Sequence, residues 1–196
     1  MVSSHGYDSI LPMKARPRLA VIVYGSLLAP SELTDLLDDP AGRIWPIRLR
    51  GFERLCNQTA SWRGTDAGQR GVLNVVRTDG AWCNGLLVTD LDRDEFTAFK
   101  DRERGYRLLE VAPEDVDPYP PDVVDAPLET TRPPLEDQDL LLVTTGTKVD
   151  HDIAPIPSYL ETCLDGASQW GETFLSEFTT TTATNVDADL TSYRTE

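Results

Sequence analysis

Lysine is nearly missing from this chain of 196 residues: only Lys14, Lys100 and Lys148 occur, and basic residues total 18 against 33 Asp and Glu. The formal net charge of −15 repels phosphate backbones and anionic lipid headgroups, which argues against nucleic acid and membrane surfaces as partners. Abundant Asp, scarce Lys and a pI near 4.4 fit adaptation to high intracellular salt, where screening suppresses self-repulsion; a fold indifferent to molar salt would contradict this. Long apolar runs are also absent, none approaching the roughly 20 residues that span a bilayer. The segment Met1 to Arg18 is polar and lacks the apolar centre of a signal peptide, so the expected location is cytoplasmic.

Cysteine and histidine are sparse. Cys56, Cys83 and Cys163 are odd in number and far apart, and His5 and His151 are the only histidines. Without a C-x-x-C pair or a histidine cluster no zinc or other metal site is expected, and buried free thiols are the better reading. No P-loop and no G-x-G-x-x-G is present, so nothing points to a nucleotide cofactor. Ser26 lies in Tyr-Gly-Ser-Leu-Leu without the second glycine of G-x-S-x-G, and its only plausible base, His151, sits in a polar stretch; a serine hydrolase is excluded on both counts.

What is present is organised around Leu19 to Leu28. A β-branched apolar run reads as a strand buried on both faces. It ends at Gly25, where another group can approach the main chain closely, and at Ser26, which adds a hydroxyl and an N–H. Backbone donors at such a strand-to-helix turn can receive a carboxylate or carbonyl oxygen, although an ordinary Gly-Ser turn is an equally good local reading. A short helix follows from Ser31 to Leu37, then a strand over Arg43 to Cys56 bent at Gly51, and a polar loop over 57–69 that contains Trp62. Thr78-Asp79-Gly80, between apolar runs at Gly71 to Arg77 and Ala81 to Val88, is a hairpin signal.

Thr89 to Asp92 offers helix caps for a segment whose Leu91, Glu95, Phe96 and Phe99 keep helical spacing. Tyr106 to Val111 returns to strand-like residues. Seven of the fourteen prolines fall between Pro113 and Pro134, in an acidic stretch that reads as an exposed insertion over about 113–137 rather than regular structure. Asp139 to Lys148 is another strand. Ser158-Tyr-Leu-Glu161 matches a capping box opening a helix, and a second helix spans Gln169 to Phe178. Residues 1–17 read as a flexible arm and 179–196 as a flexible tail around one domain at 18–178. The element order indicates an α+β domain around a mixed or antiparallel sheet.

One carboxylate stands out locally: Glu103, in Asp101-Arg102-Glu103-Arg104-Gly105-Tyr106-Arg107, at a helix-to-strand junction of the kind that presents functional side chains. Glu between two arginines is ordinarily a solvated surface charge, and that alternative stands on local grounds.

In combination, Tyr24-Gly25-Ser26-Leu27 after a buried strand, Gly85-Leu86-Leu87-Val88 followed by Asp90-Leu91-Asp92, and Arg102 to Arg107 running into Val111 resemble the gamma-glutamylcyclotransferase-like family. The resemblance implies a small β-barrel with flanking helices. It implies a substrate site at Tyr24, Gly25, Ser26 and Leu27, Glu103 as general acid/base, Tyr106 lining the pocket, no cofactor, and cyclisation of a small γ-glutamyl substrate to 5-oxoproline. A subset of the family carries Tyr-Gly-Ser-Asn; Leu27 here lacks that amide, which leaves the leaving group open. A non-catalytic small-molecule binding protein, or an acyl or aminoacyl transferase or maturation factor, would use the same pocket.

Overall fold

The structure is a computed structural model and describes residues 17–60, 69–125, 133–184 and 190–193. The expected arm at 1–17 therefore falls, but for Pro17, outside the described residues, as do Trp62 and parts of the 113–137 and 179–196 segments.

The chain builds a mixed sheet flanked by helices. Strand β1 (Leu19–Val23) lies at its centre, antiparallel to β3 (Gln69–Leu91) on one side and parallel to β6 (Leu140–Gly146) on the other. Beyond β3 come β2 (Ile44–Thr59) and the short β5 (Val116–Pro118); beyond β6 comes β4 (Tyr106–Glu110). Strands β7 (Ala154–Pro155) and β8 (Thr182–Ala183) add parallel bridges to β3 and β2. The sheet is α+β as expected, but β4 and β5 end its path without pairing to each other, so among the described residues it curls without closing into a barrel. Ala20 to Val23, whose side chains point alternately to the two faces of the sheet, are all buried, which is why this strand is apolar throughout instead of alternating.

The bend at Gly51 is found, but the hairpin at Thr78-Asp79-Gly80 is not. The runs on either side of that tripeptide do not pair with each other; both pair with the long β2, in line. Between the pairs Arg50↔Trp82 and Phe52↔Arg77, Gly51 alone faces residues 78–81, a bulge with Gly80 at φ +77°. Residues able to adopt positive φ serve a bulge as well as a turn, and a partner strand long enough to bridge both runs decides between them. The polar loop expected over 57–69 is shorter as well: Asn57 to Thr59 still belong to β2.

Helix α1 (Pro30–Thr34) buries Leu33 beside Leu37. Helix α2 (Arg93–Arg102) carries a full capping box: the Asp92 side chain accepts from the Asp94 and Glu95 N–H groups, and Glu95 accepts from the Asp92 N–H at 2.9 Å. The Arg43 guanidinium grips Glu95 with two bonds of 2.8 and 2.6 Å and, outweighing the opposing effect of burial, holds its carboxyl below the usual carboxylate range. A depressed folded-state pKa adds stability that is complete above the unfolded value, roughly pH 4.3, and is lost as pH falls through the lower folded value. Urea unfolding from pH 6 to 3 should therefore show a steep acid limb, flatter in Glu95→Gln; equal slopes would disprove this source of acid sensitivity.

Helix α3 (Pro157–Ser168) forms, but its cap is not the expected one. The N-cap is Ile156 with no side-chain bond, and Pro157 starts the helix with its φ already set. The expected second helix is α4 (Glu172–Thr180), begun by Gly171.

The acidic, proline-rich stretch contains more structure than composition indicates: Val116–Pro118 is an edge strand on β2, where a proline does no harm, and Val116 and Tyr119 are buried. The tail boundary at 179 is also overrun. The threonines expected to be tail continue α4 and form β8, because Arg54, fully buried on β2, bonds them. Its Nε donates to Thr182 Oγ1 at 2.7 Å, and its terminal nitrogens donate to the Asn84 carbonyl (2.7 Å) and side chain (2.9 Å), the Phe178 carbonyl (3.0 Å) and Thr181 Oγ1 (3.1 Å). The three cysteines are buried and none is in a disulfide.

Candidate active site

At the end of β1 the chain leaves the sheet at Tyr24 and Gly25 and enters a 3₁₀ turn at Ser26–Leu28. The first N–H groups of a helical turn have no acceptor within it. The turn is braced from behind: Trp170, fully buried, donates its indole N–H to the Leu28 carbonyl at 2.8 Å, and Gly166 of α3 packs directly on Ala29. The C-terminal helices thus back the loop that the strand presents.

The six residues singled out in the sequence, Tyr24, Gly25, Ser26, Leu27, Glu103 and Tyr106, line one cleft of about 300 Å³. Val23, Val72, Leu73 and Phe99 add apolar wall, and Arg102, Thr144 and Tyr159 add polar groups that sequence reasoning missed as site residues. Arg102 is next to Glu103 in sequence and could have been inferred. Thr144 follows an apolar run whose parallel pairing to β1 no local pattern reveals, and Tyr159 arrives through the packing of α3.

Glu103 is the C-cap of α2. Its N–H bonds the Phe99 carbonyl at 2.9 Å and its carbonyl accepts from the Tyr106 N–H at 3.1 Å, so the backbone carrying the carboxylate is fixed on both sides. The Thr144 hydroxyl lies 3.3 Å from both Glu103 Oε2 and Tyr24 Oη and can donate its one proton to either. Tyr24 itself donates to the Thr144 carbonyl at 2.9 Å, and Tyr106 donates to the Leu73 carbonyl at 2.7 Å. Burial, followed by the charge of Glu103, pushes the Tyr24 phenol above its ordinary value; burial, then Tyr24 and Glu103, does the same for Tyr106, and burial foremost for Tyr159. All three are neutral at physiological pH. Tyr24 and Tyr106 spend their protons on protein carbonyls and so position the walls, while the N–H groups of the turn and the Ser26 hydroxyl stand among the donors left to the cleft.

Gly25 shows why that position has no side chain: a Cβ there would stand 2.6 Å from the Tyr159 hydroxyl oxygen, with the next ring atom at 3.8 Å. Gly25→Ala should destabilise the fold by about 1–3 kcal/mol through this overlap. Adding Tyr159→Phe removes the clashing oxygen, so thermal melts of the four-member cycle should show a smaller penalty for Gly25→Ala when Tyr159→Phe is also present; equal penalties would refute the contact.

Among the lining residues Arg102 and Glu103 are the charged pair, set among apolar side chains and as many tyrosine, serine and threonine groups, a mixture that can both enclose and orient a small polar molecule. No cluster of three or more His, Cys, Asp or Glu suited to a metal is found among the described residues.

No family model and no curated protein matches the chain in sequence. Solved structures do match. One is a gamma-glutamyl cyclotransferase at 15% identity and TM-score 0.55, covering 82% of this chain and 86% of that one. The fold is gamma-glutamyl cyclotransferase-like. An uncharacterized protein from Homo sapiens superposes equally well (TM-score 0.56, 16% identity, 83% and 87% covered). A gamma-glutamyl cyclotransferase specific to glutathione from yeast covers 91% of this chain and 98% of its own, at TM-score 0.50 and 16% identity. At these identities the likeness concerns the fold; within this gamma-glutamyl cyclotransferase-like fold, the chemistry has to be argued from the cleft.

Proposed function

We propose that the protein is an enzyme that cyclises a small γ-glutamyl compound to 5-oxoproline and releases the attached amine. What supports this is the convergence, in one cleft of about 300 Å³, of a braced strand-end turn, a backbone-fixed glutamate and neutral tyrosines.

A γ-glutamyl compound carries its own nucleophile. Its α-amine can reach the γ-carbonyl carbon and close a five-membered ring. Folding the chain into that geometry makes the attack intramolecular, worth on the order of 7 kcal/mol or more. Glu103 takes a proton from the α-ammonium; the freed amine attacks; N–H groups at the start of the Ser26–Leu28 turn receive the oxyanion. Glu103 returns that proton to the leaving nitrogen, takes the second proton from the ring nitrogen as the bond from the γ-carbon to the leaving nitrogen breaks, and passes it to the departing amine, so the ring keeps one N–H and the amine leaves as an ammonium. One carboxylate serves all the transfers because ring closure places the attacking and departing nitrogens on the same carbon. Tyr24 and Thr144 hold the carboxylate's position, and Val72, Leu73 and Phe99 keep the site dry.

The test is incubation with γ-glutamylcysteine and with a γ-glutamyl alkylamine, in dilute buffer and in molar salt, with 5-oxoproline as the readout. Release from at least one donor is expected. Failure with every γ-glutamyl donor would leave a protein of this fold that binds small carboxylates or amides without turning them over.

A further inference from the structure

Resting on the reaction proposed above, we infer that Gln58 is a positioning residue: its buried side-chain amide ties the Glu103–Tyr106 loop to β2 and so sets where the Glu103 carboxylate stands against the Ser26 turn. By composition Gln58 belongs to the polar stretch 57–69, yet it is fully buried near the end of β2. Its Nε2 donates to the Gly105 and Thr59 carbonyls, both at 3.3 Å, and its Oε1 accepts the Lys148 N–H at 3.1 Å. A buried primary amide is costly unless its donors and acceptor are met, and here main chain from three places meets them. Gly146, which pairs with Tyr106 across β4 and β6, leaves the room: a Cβ there would collide with Gln58 Oε1.

The cleft has two halves that come from different parts of the sheet. The Ser26 turn ends β1, and Val72 and Leu73 sit on β3, to which β1 is paired. Glu103 and Tyr106 come from the junction of α2 and β4, and the β4 ladder reaches β1 through β6. Gln58 crosses from one half to the other. It stands opposite Val72 in the β2–β3 register and bonds Gly105, two residues beyond Glu103 and at φ +97°. Thr147 Oγ1 also donates to the Gly105 carbonyl, at 2.7 Å, but Thr147 is exposed and follows β6, on the loop's own side. Asn74, buried on β3, makes a second tie of the same kind by accepting the Gly146 N–H at 2.6 Å. Misplacing a reacting group by about 1 Å costs on the order of 10²-fold in rate, so a side chain that touches no reacting atom can govern turnover.

The test uses full-length protein carrying Gln58→Met, which keeps the length of the side chain and lacks the amide. With a γ-glutamyl donor that the parent protein turns over, kcat for 5-oxoproline release should fall about 10²-fold while KM stays within a few-fold. Amide hydrogen exchange read by NMR supplies the second measurement. Tyr106 and Thr147, whose N–H groups bond the Glu103 and Gly105 carbonyls, should exchange about tenfold or more faster than in the parent, with a smaller change across the β1–β3 pairing. An unchanged kcat, or equal acceleration in both sets as a merely structural amide would produce, overturns the assignment. Should Gln58→Met fail to fold, Gly146→Ala takes its place, since its methyl displaces the same amide without removing it. If the parent releases 5-oxoproline from no donor, the proposed reaction falls and exchange decides alone: acceleration confined to the loop upholds Gln58 as the anchor of Glu103, and uniform acceleration overturns it.

Discussion

Glu103→Gln should abolish 5-oxoproline release, lowering turnover on the order of 10²- to 10⁴-fold, while the melting temperature stays within a few degrees of the parent protein. The substitution keeps the shape of the side chain and an oxygen able to accept from the Thr144 hydroxyl 3.3 Å away. What it removes is the group that takes the ammonium proton and hands it to the leaving nitrogen. The helix end is held by main-chain bonds to Phe99 and Tyr106, which the change does not touch. Full activity in the variant would sink the mechanism, whatever the substrate.

Arg54→Ala should have the largest effect on stability, about 3 kcal/mol or more, equivalent to roughly 10 °C in melting temperature for a domain of this size. The guanidinium is fully buried and has no carboxylate beside it among the described residues; burial pulls its pKa down, with nearby cysteines and tyrosines opposing. It persists because carbonyl, amide and hydroxyl oxygens from β2's neighbour β3, the end of α4 and β8 take its protons, and because it stacks over the Phe178 ring at 3.9 Å. Truncation strands several acceptors in a dry interior and opens a cavity. Urea titration at neutral pH checks this, and a loss under 1 kcal/mol would mean that water enters and replaces the donor. Arg54 is far from any motif in the sequence, so no reading of composition could have marked it.

Local physics made much of the fold legible. The apolar run at Leu19 to Val23, a helix cap within Thr89 to Asp92, and the strand at Leu140 to Gly146 all follow from periodicity and capping chemistry that tertiary structure does not overrule. The errors came where a local signal had two uses. Thr78-Asp79-Gly80 suits a turn or a bulge, and only the length of β2 selects the bulge. Thr179 to Thr182 looks like tail until a buried arginine on a distant strand requires hydroxyls. Pro118 excludes a central strand but not an edge. For the cleft, Tyr24 to Leu27 and Glu103 lie at element boundaries, where local physics left an ordinary turn and a surface charge equally open and only the resemblance joined them; Thr144 and Tyr159 enter through pairings that span most of the chain.

One such pairing sets the order in which the molecule can be assembled. β2 and β3 are near neighbours in sequence and close a ribbon cheaply, and β1 can add to β3 soon after. β6 joins only when Leu19 meets Leu140, a loop closure across most of the sequence and the slowest kind of contact to gather. Thr144 rides on that strand, and Tyr24 and Glu103 both hang on it. A nascent or refolding chain is therefore expected to form its ribbon before its cleft, since the turn and the glutamate share one pocket only once β6 is in place.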